Sequence, residues 1–213
     1  MNSILSETRQ KLVWSALFLV LVAMGSIWIW RMFGEQTQTE ARWRAKTTKG
    51  SVLAVFGQAP EFSLTERSKA PFSNANLKGK PWIADFIFTS CAGQCPVMSL
   101  HMKRLQTLFP KETGMQLVSF TVDPDRDSPE ILSEYANRYE AKPDQWFFLT
   151  GPKTEINRIL KGFLLSGAEE PAMHSTRFIL VDRQGKIRGY YDSAEPTSLN
   201  QLIHDAKLLL KGS

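Results

Sequence analysis

A mixed α/β domain behind an apolar N-terminal span is the fold the sequence predicts, and three observations predict it. Two nearly continuous apolar runs, Trp82–Thr89 and Gln116–Val122, have the composition of central strands buried on both faces. Each is followed by a stretch with apolar residues at helical spacing. Ahead of both, Leu12–Trp30 holds 19 residues without a charge. A chain of 213 residues, 43% hydrophobic and 22% charged, can bury a core and is neither disordered nor polytopic.

The elements follow in order. PEFSLTE (60–66) reads as a short strand, and Asn74–Lys80, rich in Asn, Gly and Lys, as a turn. After the strand Trp82–Thr89, the spacing of Met98, Met102, Leu105 and Phe109 predicts a helix over Pro96–Phe109. Past the strand Gln116–Val122, Ser128-Pro129-Glu130 supplies a cap and a first-turn proline to a helix bearing Ile131, Leu132, Tyr135 and Tyr139. Trp146–Thr150 is a strand, and Lys153–Leu165 a helix with Ile156, Ile159, Leu160, Phe163 and Leu164 on one face. Strands Thr176–Val181 and Ile187–Tyr191 flank the hairpin turn Asp182-Arg183-Gln184-Gly185. A last helix, Thr197–Leu210, buries Leu199, Leu202, Ile203 and Leu210. This is the order of a thioredoxin-like sandwich, here with an N-terminal transmembrane helix.

Residues 12–30 are bounded by Lys11 and Arg31 and carry Trp14 at one end and Trp28 and Trp30 at the other. As a helix they span roughly 28 Å, close to the hydrocarbon thickness of a bilayer. A cleaved signal peptide has a shorter apolar core of about 7–15 residues, so an uncleaved anchor is the preferred reading. The chain thus divides into a tail (1–11), an anchor (12–30), a polar tether (31–57) and a domain (58–213). Two Lys/Arg precede the span and five follow it up to Lys49, a count that by itself favours a cytoplasmic domain.

The net charge of +5 is concentrated in the same region. Residues 1–50 hold seven Lys/Arg against three Glu, leaving 19 basic and 18 acidic residues beyond them. A nearly neutral domain offers no footprint for nucleic acid.

Both cysteines lie in Thr89-Ser90-Cys91-Ala92-Gly93-Gln94-Cys95-Pro96, between a buried strand and a helix. With Pro96 as first helical residue, Cys95 is the N-cap, and the helix N-terminus favours thiolates. Gly93 lets the loop fold tightly. Two thiolates make a soft site that selects Cu(I) or Zn(II). Structural zinc wants four ligands, and there is no second cysteine pair, whereas Cu(I) accepts two or three. The third donor comes from His101, His174, His204 or a methionine. His174, in the loop Gly167–Ser175 before a strand, is the preferred ligand, because in a thioredoxin-like fold that loop lies beside the cysteine helix. His204 reads as a surface residue, His101 as a neighbour of the apolar stripe, and Met98 and Met102 as core, with Met173 a further soft donor.

Asp123-x-Asp125-x-Asp127 with Glu134 imitates a calcium loop, but Ser128 replaces the required glycine and Pro129 follows it. Calcium is refused. A peroxiredoxin is refused as well, since Thr89-Ser90-Cys91 lacks the Pro-x-x-x-Thr-x-x-Cys arrangement.

Four motifs in sequence carry a resemblance: Cys91-x-x-x-Cys95-Pro96 after Phe88-Thr89-Ser90, then Thr121-Val122-Asp123-Pro124-Asp125-Arg126-Asp127-Ser128-Pro129, then Trp146–Gly151, then His174-Ser175 before Phe178–Asp182. From about residue 58 onward the chain resembles the Sco/SenC family of membrane-anchored copper chaperones. The resemblance implies copper, as Cu(I) with Cu(II) also open, held by Cys91, Cys95 and His174. It implies delivery to the binuclear copper site of cytochrome c oxidase subunit II, a thiol reductant as a second partner, and no enzyme activity in the ordinary sense. Asp123 matches an acidic position tied to copper handling or partner recognition, or is simply a turn residue. Many relatives carry Pro after the first cysteine where this chain has Ala92-Gly93. Asp85 interrupts the central strand, either as a hydrogen-bonded carboxylate or as a proton acceptor for a thiol. That keeps a thiol–disulfide oxidoreductase open as an alternative, alongside a redox or copper sensor. The family also implies an inner-membrane location with the domain on the outer, periplasmic side, against the Lys/Arg count.

Overall fold

The computed structural model describes residues 53–163 and 176–211. The anchor, most of the tether, and the loop holding Met173 and His174 lie outside the described residues. Among the described residues no helix is long and apolar enough to cross a membrane.

Eight strands form one sheet: β1 (Gly57–Gln58), β2 (Ser63–Glu66), β3 (Pro71–Ser73), β4 (Trp82–Ile87), β5 (Gln116–Thr121), β6 (Trp146–Thr150), β7 (Arg177–Val181) and β8 (Lys186–Asp192). Their order across the sheet is β1-β8-β7-β4-β5-β6-β2-β3. The centre, β4-β5-β6, is parallel, and β7 joins β4 antiparallel. The described helices are α1 (Asn74–Leu77), α2 (Gln94–Leu108), α3 (Pro129–Arg138), α4 (Lys153–Gly162) and α5 (Pro196–Lys211).

Strand alternation sorts the core into two layers. Ile83, Ile87, Leu117, Trp146, Phe148, Phe178 and Leu180 face one side, beneath Met98, Met102 and Leu105 of α2, Leu132 and Tyr135 of α3, and Leu199, Leu202 and Ala206 of α5. Trp82, Ala84, Phe86, Val118, Phe120 and Ile179 face the other, beneath Ile156, Ile159 and Leu160 of α4 and Phe62. The central strands are thus buried on both faces, which explains their unbroken apolar runs.

Several expectations change in detail. Packing into the domain is already present ahead of Gln58: Leu53 is buried, its carbonyl accepts from Arg188 Nη2 at 2.6 Å, and Gly57 pairs with Ile187. The turn at Asn74–Lys80 opens with one helical turn, because Ser73 and Asn76 cap each other's backbone. The strand Pro71–Ser73 has no counterpart in the sequence reading; three residues carry no period. Helix α3 starts as expected, with Ser128 Oγ accepting the Ile131 N–H and Pro129 in the first turn, although Ile131 itself is exposed. Helix α4 closes at Gly162 with buried Phe163 as its cap; Leu164 and Leu165 lie outside the described residues. Leu210 is only half-buried on α5.

Candidate metal centre

The loop Phe88–Gly93 leaves the C-terminal end of β4 at the middle of the sheet and feeds α2. Its helix begins two residues earlier than expected, with Gly93 at the cap position and Cys95 as the second helical residue. That shift has a chemical consequence. The first N–H groups of a helix have no partner within it, so those of Gln94 and Cys95 are free to serve a neighbouring acceptor. They and the Gly93 N–H, which lies 3.4 Å from Cys91 Sγ, converge on the first sulfur. Gly93 has an ordinary negative φ of −108°, and a Cβ there would sit 4.0 Å from Cys91 Sγ, an ordinary contact.

Both cysteines are reduced, Cys91 half-buried and Cys95 buried. Burial is the largest single influence on the Cys91 thiol and raises its pKa. The Cys95 backbone N–H, the Cys95 thiol, and the N–H groups of Gly93 and Gln94 together outweigh it, and the net displacement is downward. Cys95 goes the other way: burial pushes it up to about 12, with the negative charge of Cys91 and that of Asp85 adding to the rise. The half-buried thiol is thus the more acidic of the two, and its buried partner is held protonated.

Asp85 is fully enclosed in the middle of β4, opposite Ser119 of β5. It shares its face with Ile83 and Ile87, the side on which α2 and α3 pack. Ser119 Oγ donates to Asp85 Oδ1 at 2.6 Å and accepts from Trp146 Nε1 at 2.9 Å. Oδ2 has no partner. Burial raises the Asp85 pKa to about 7, the Ser119 bond opposing it. The structure shows a carboxylate hydrogen-bonded inside the strand, with its pKa raised toward neutrality by burial.

The remaining candidates separate. Asp123 is half-buried, takes Arg126 as a distant partner at 3.7 Å, and its carbonyl accepts from Arg126 N and Asp127 N, so it builds the turn after β5. Met98 and Met102 are enclosed in the core and serve as filling. His101 is half-buried with its ring edge-on to Phe178 at 6.4 Å, and burial, followed by the charge of Arg104, lowers its pKa. His204 is exposed on α5. His174, the proposed third ligand, lies outside the described residues. Among the described residues no group of three or more His, Cys, Asp or Glu is placed to hold a metal, so the aspartates of the calcium-like run do not cluster as ligands. What is present is a pair of soft donors, which suits a soft cation of low coordination number.

Sequence reasoning missed Asp127 and Thr89. Asp127 figured in the refused calcium pattern and within the second resemblance motif with no role of its own, yet it is wholly buried and bonded to Thr89, two residues ahead of Cys91.

With that geometry in place, comparison with known proteins is informative. A family model described as SCO1/SenC matches residues 54–210. The SCO1 protein homolog of Bacillus subtilis strain 168 is 36% identical over 153 residues, covering 68% of this chain and 79% of that protein. The structure of BsSco, a member of the Sco family of cytochrome c oxidase assembly proteins in which a disulfide switch was identified, aligns with a TM-score of 0.66 at 30% identity, covering 76% of this chain and 99% of that one. Yeast Sco1 with copper bound aligns with a TM-score of 0.57 at 25% identity, covering 71% and 89%. The sheet order, the cysteine loop at the end of its central strand and these likenesses agree on a thioredoxin-like Sco fold, and the chain belongs to the SCO1/SenC family.

Proposed function

We propose that this protein is a copper chaperone of cytochrome c oxidase assembly: it binds one Cu(I) between Cys91, Cys95 and His174 and passes it by ligand exchange to the binuclear copper site of oxidase subunit II. The observation that carries the reading is the pair of free thiols at one loop–helix junction, one made more acidic and half-exposed, the other buried behind it. The relatives support copper as the cargo and oxidase assembly as the setting, since one is a copper-bound structure and another an oxidase assembly protein. The half-exposed sulfur suits a donor, because a metal that must leave has to be reached by the acceptor's ligands.

In the full-length chain, reduced and purified in mild detergent, Cu(I) should bind at one equivalent. His174→Ala should weaken it by more than about tenfold, since a three-coordinate site becomes two-coordinate. Binding unchanged in that variant would remove His174 from the site.

A second reading draws on the asymmetry of the same thiols. Cys91 as a thiolate can attack an acceptor disulfide, breaking its S–S bond and forming a mixed disulfide. Cys95, once deprotonated, then attacks Cys91 Sγ and releases the acceptor as a dithiol. Two electrons and two protons pass to the acceptor, and this chain is left with a Cys91–Cys95 disulfide that an external thiol must reduce. The same chemistry serves the chaperone reading, because acceptor cysteines must be reduced before they take copper. Turnover of a disulfide substrate without copper would favour the oxidoreductase.

The location proposed is the inner membrane, with residues 12–30 as anchor and the domain on the outer side, where an outward-facing oxidase site is served. A reporter fused after residue 50 should be active in the periplasmic form and silent in the cytoplasmic form; the reverse overturns the placement.

A further inference from the structure

We propose that Asp127 is a positioning residue for the metal loop, holding Cys91 through Thr89; the proposal rests on the copper-site reading above. Asp127 is enclosed at 0% exposure, and none of the ion pairs among the described residues involves it. A carboxylate in that position needs hydrogen-bond donors, and the structure supplies them from two separate loops. Thr89 gives its backbone N–H at 3.1 Å and its hydroxyl at 2.5 Å. Thr121, at the end of β5, gives its hydroxyl at 2.5 Å, and its oxygen accepts the Asp123 N–H at 3.0 Å. The carboxylate therefore joins the cysteine loop to the loop carrying Asp123.

The attachment matters because of where regular pairing stops. The last sheet bond to β4 is Val122 N to Ile87 O, at 2.8 Å. Between Ile87 and the first turn of α2, the loop holds the Asp127–Thr89 pair of bonds, the turn from Cys91 N to Phe88 O at 3.2 Å, and the contact of Gly93 N with Cys91 Sγ. Where it meets α2, the Gln94 and Cys95 N–H groups face Cys91 Sγ and the Phe88 N–H faces Cys95 Sγ. Of these bonds, only the Asp127–Thr89 pair reaches beyond the loop and α2. The sulfur of Cys91 has to meet N–H groups that are fixed by α2, while its own backbone starts from Thr89. Asp127 fixes that starting point, and so sets how well the donors of Gly93, Gln94 and Cys95 aim at the sulfur.

The test uses the full-length chain in mild detergent and reads two quantities. The first, in the metal-free reduced protein, is the pH profile of Cys91 alkylation by iodoacetamide; the second is Cu(I) affinity. Asp127→Asn and Thr89→Val should slow alkylation at neutral pH by at least about threefold as the thiol becomes less acidic. Copper affinity should fall by about tenfold, as when the support of a metal ligand is removed. Thr89→Ser, which keeps the hydroxyl, should return both to within about twofold of the parent. Asp205→Asn, which disturbs a buried carboxylate bonded to Tyr191 and Gln201 on α5, should move neither, so lost stability alone does not account for the effect. Parent-like alkylation in both Asp127→Asn and Thr89→Val overturns the proposal. If Asp127→Asn does not fold, the near-isosteric Thr89→Val decides it. A parent chain that takes up no Cu(I), with alkylation changing as stated, would end the copper reading and leave the positioning role standing.

Discussion

Replacing either cysteine by serine should abolish tight Cu(I) binding, with affinity falling by more than about 100-fold, beyond what loss of a supporting group costs a metal site. A hydroxyl is a hard donor and does not replace a thiolate toward Cu(I). The two variants should nevertheless differ in the metal-free state. Cys95→Ser leaves Cys91 half-exposed among the N–H groups of Gly93, Gln94 and residue 95, so alkylation near neutral pH should remain rapid. Cys91→Ser leaves a buried thiol that burial holds far above neutrality, so the variant should be nearly inert to the same reagent at pH 7. Removing the neighbouring sulfur also removes one cause of the Cys95 rise, and its titration should move down relative to the parent. Titration with iodoacetamide followed by mass spectrometry measures both. Equal reactivity of the two single-cysteine chains would mean that the helix N-terminus does not distinguish the sulfurs. Tight copper binding surviving in either would place the metal elsewhere.

The same asymmetry marks what could be read from residues alone. The cysteine pair was legible because its two members sit four apart at a junction that apolar periodicity identifies, with Ile83 and Ile87 on one side and Met98, Met102 and Leu105 on the other. Which sulfur is acidic was not legible. It depends on the helix starting at Gln94, so that Cys95 is inside the first turn and lends its N–H to Cys91. A boundary shift of two residues lies within the usual uncertainty of helix ends, yet here it exchanges a capping side chain for a donor. The bonds from Asp127 to Thr89 cross 38 residues of sequence and join two loops, and periodicity carries no information about such pairs. Short edge elements were invisible for a related reason: β1 is two residues long and is defined by its partner, Ile187 and Lys186, rather than by its own composition. The long central strands, the hairpin at Asp182–Gly185 and the capped start of α3 came through because local chemistry and tertiary environment ask for the same residues there.

Asp85 should make the folded state lose stability as pH rises toward and past neutrality, and Asp85→Asn should remove that loss. The folded chain keeps the carboxyl protonated up to about pH 7, whereas its ordinary pKa is 3.8, so between these values the folded state holds a proton that the unfolded chain has released. The contribution of the neutral carboxyl is fully present below 3.8 and is lost as pH rises through about 7. At 1.36 kcal/mol per pH unit that gap corresponds to at most about 4 kcal/mol. Asparagine keeps an acceptor for the Ser119 hydroxyl and cannot ionise; its NH2 inherits the place of an oxygen that already lacks a partner. Urea unfolding at pH 5 and pH 8 should show the parent declining by a few kcal/mol and the variant nearly flat, the variant becoming the more stable at the higher pH. Parallel pH profiles would mean that Asp85 ionises as freely in the fold as outside it. The variant should also touch function, since the charge of Asp85 is one of the causes that raise the Cys95 pKa. In a Cys91→Ser background, adding Asp85→Asn should lower the pH at which Cys95 alkylates. Cu(I) binding displaces the thiol proton, so in the otherwise native chain Asp85→Asn should load copper at lower pH than the parent. A shift in stability without any shift in loading would confine Asp85 to the core of the sheet.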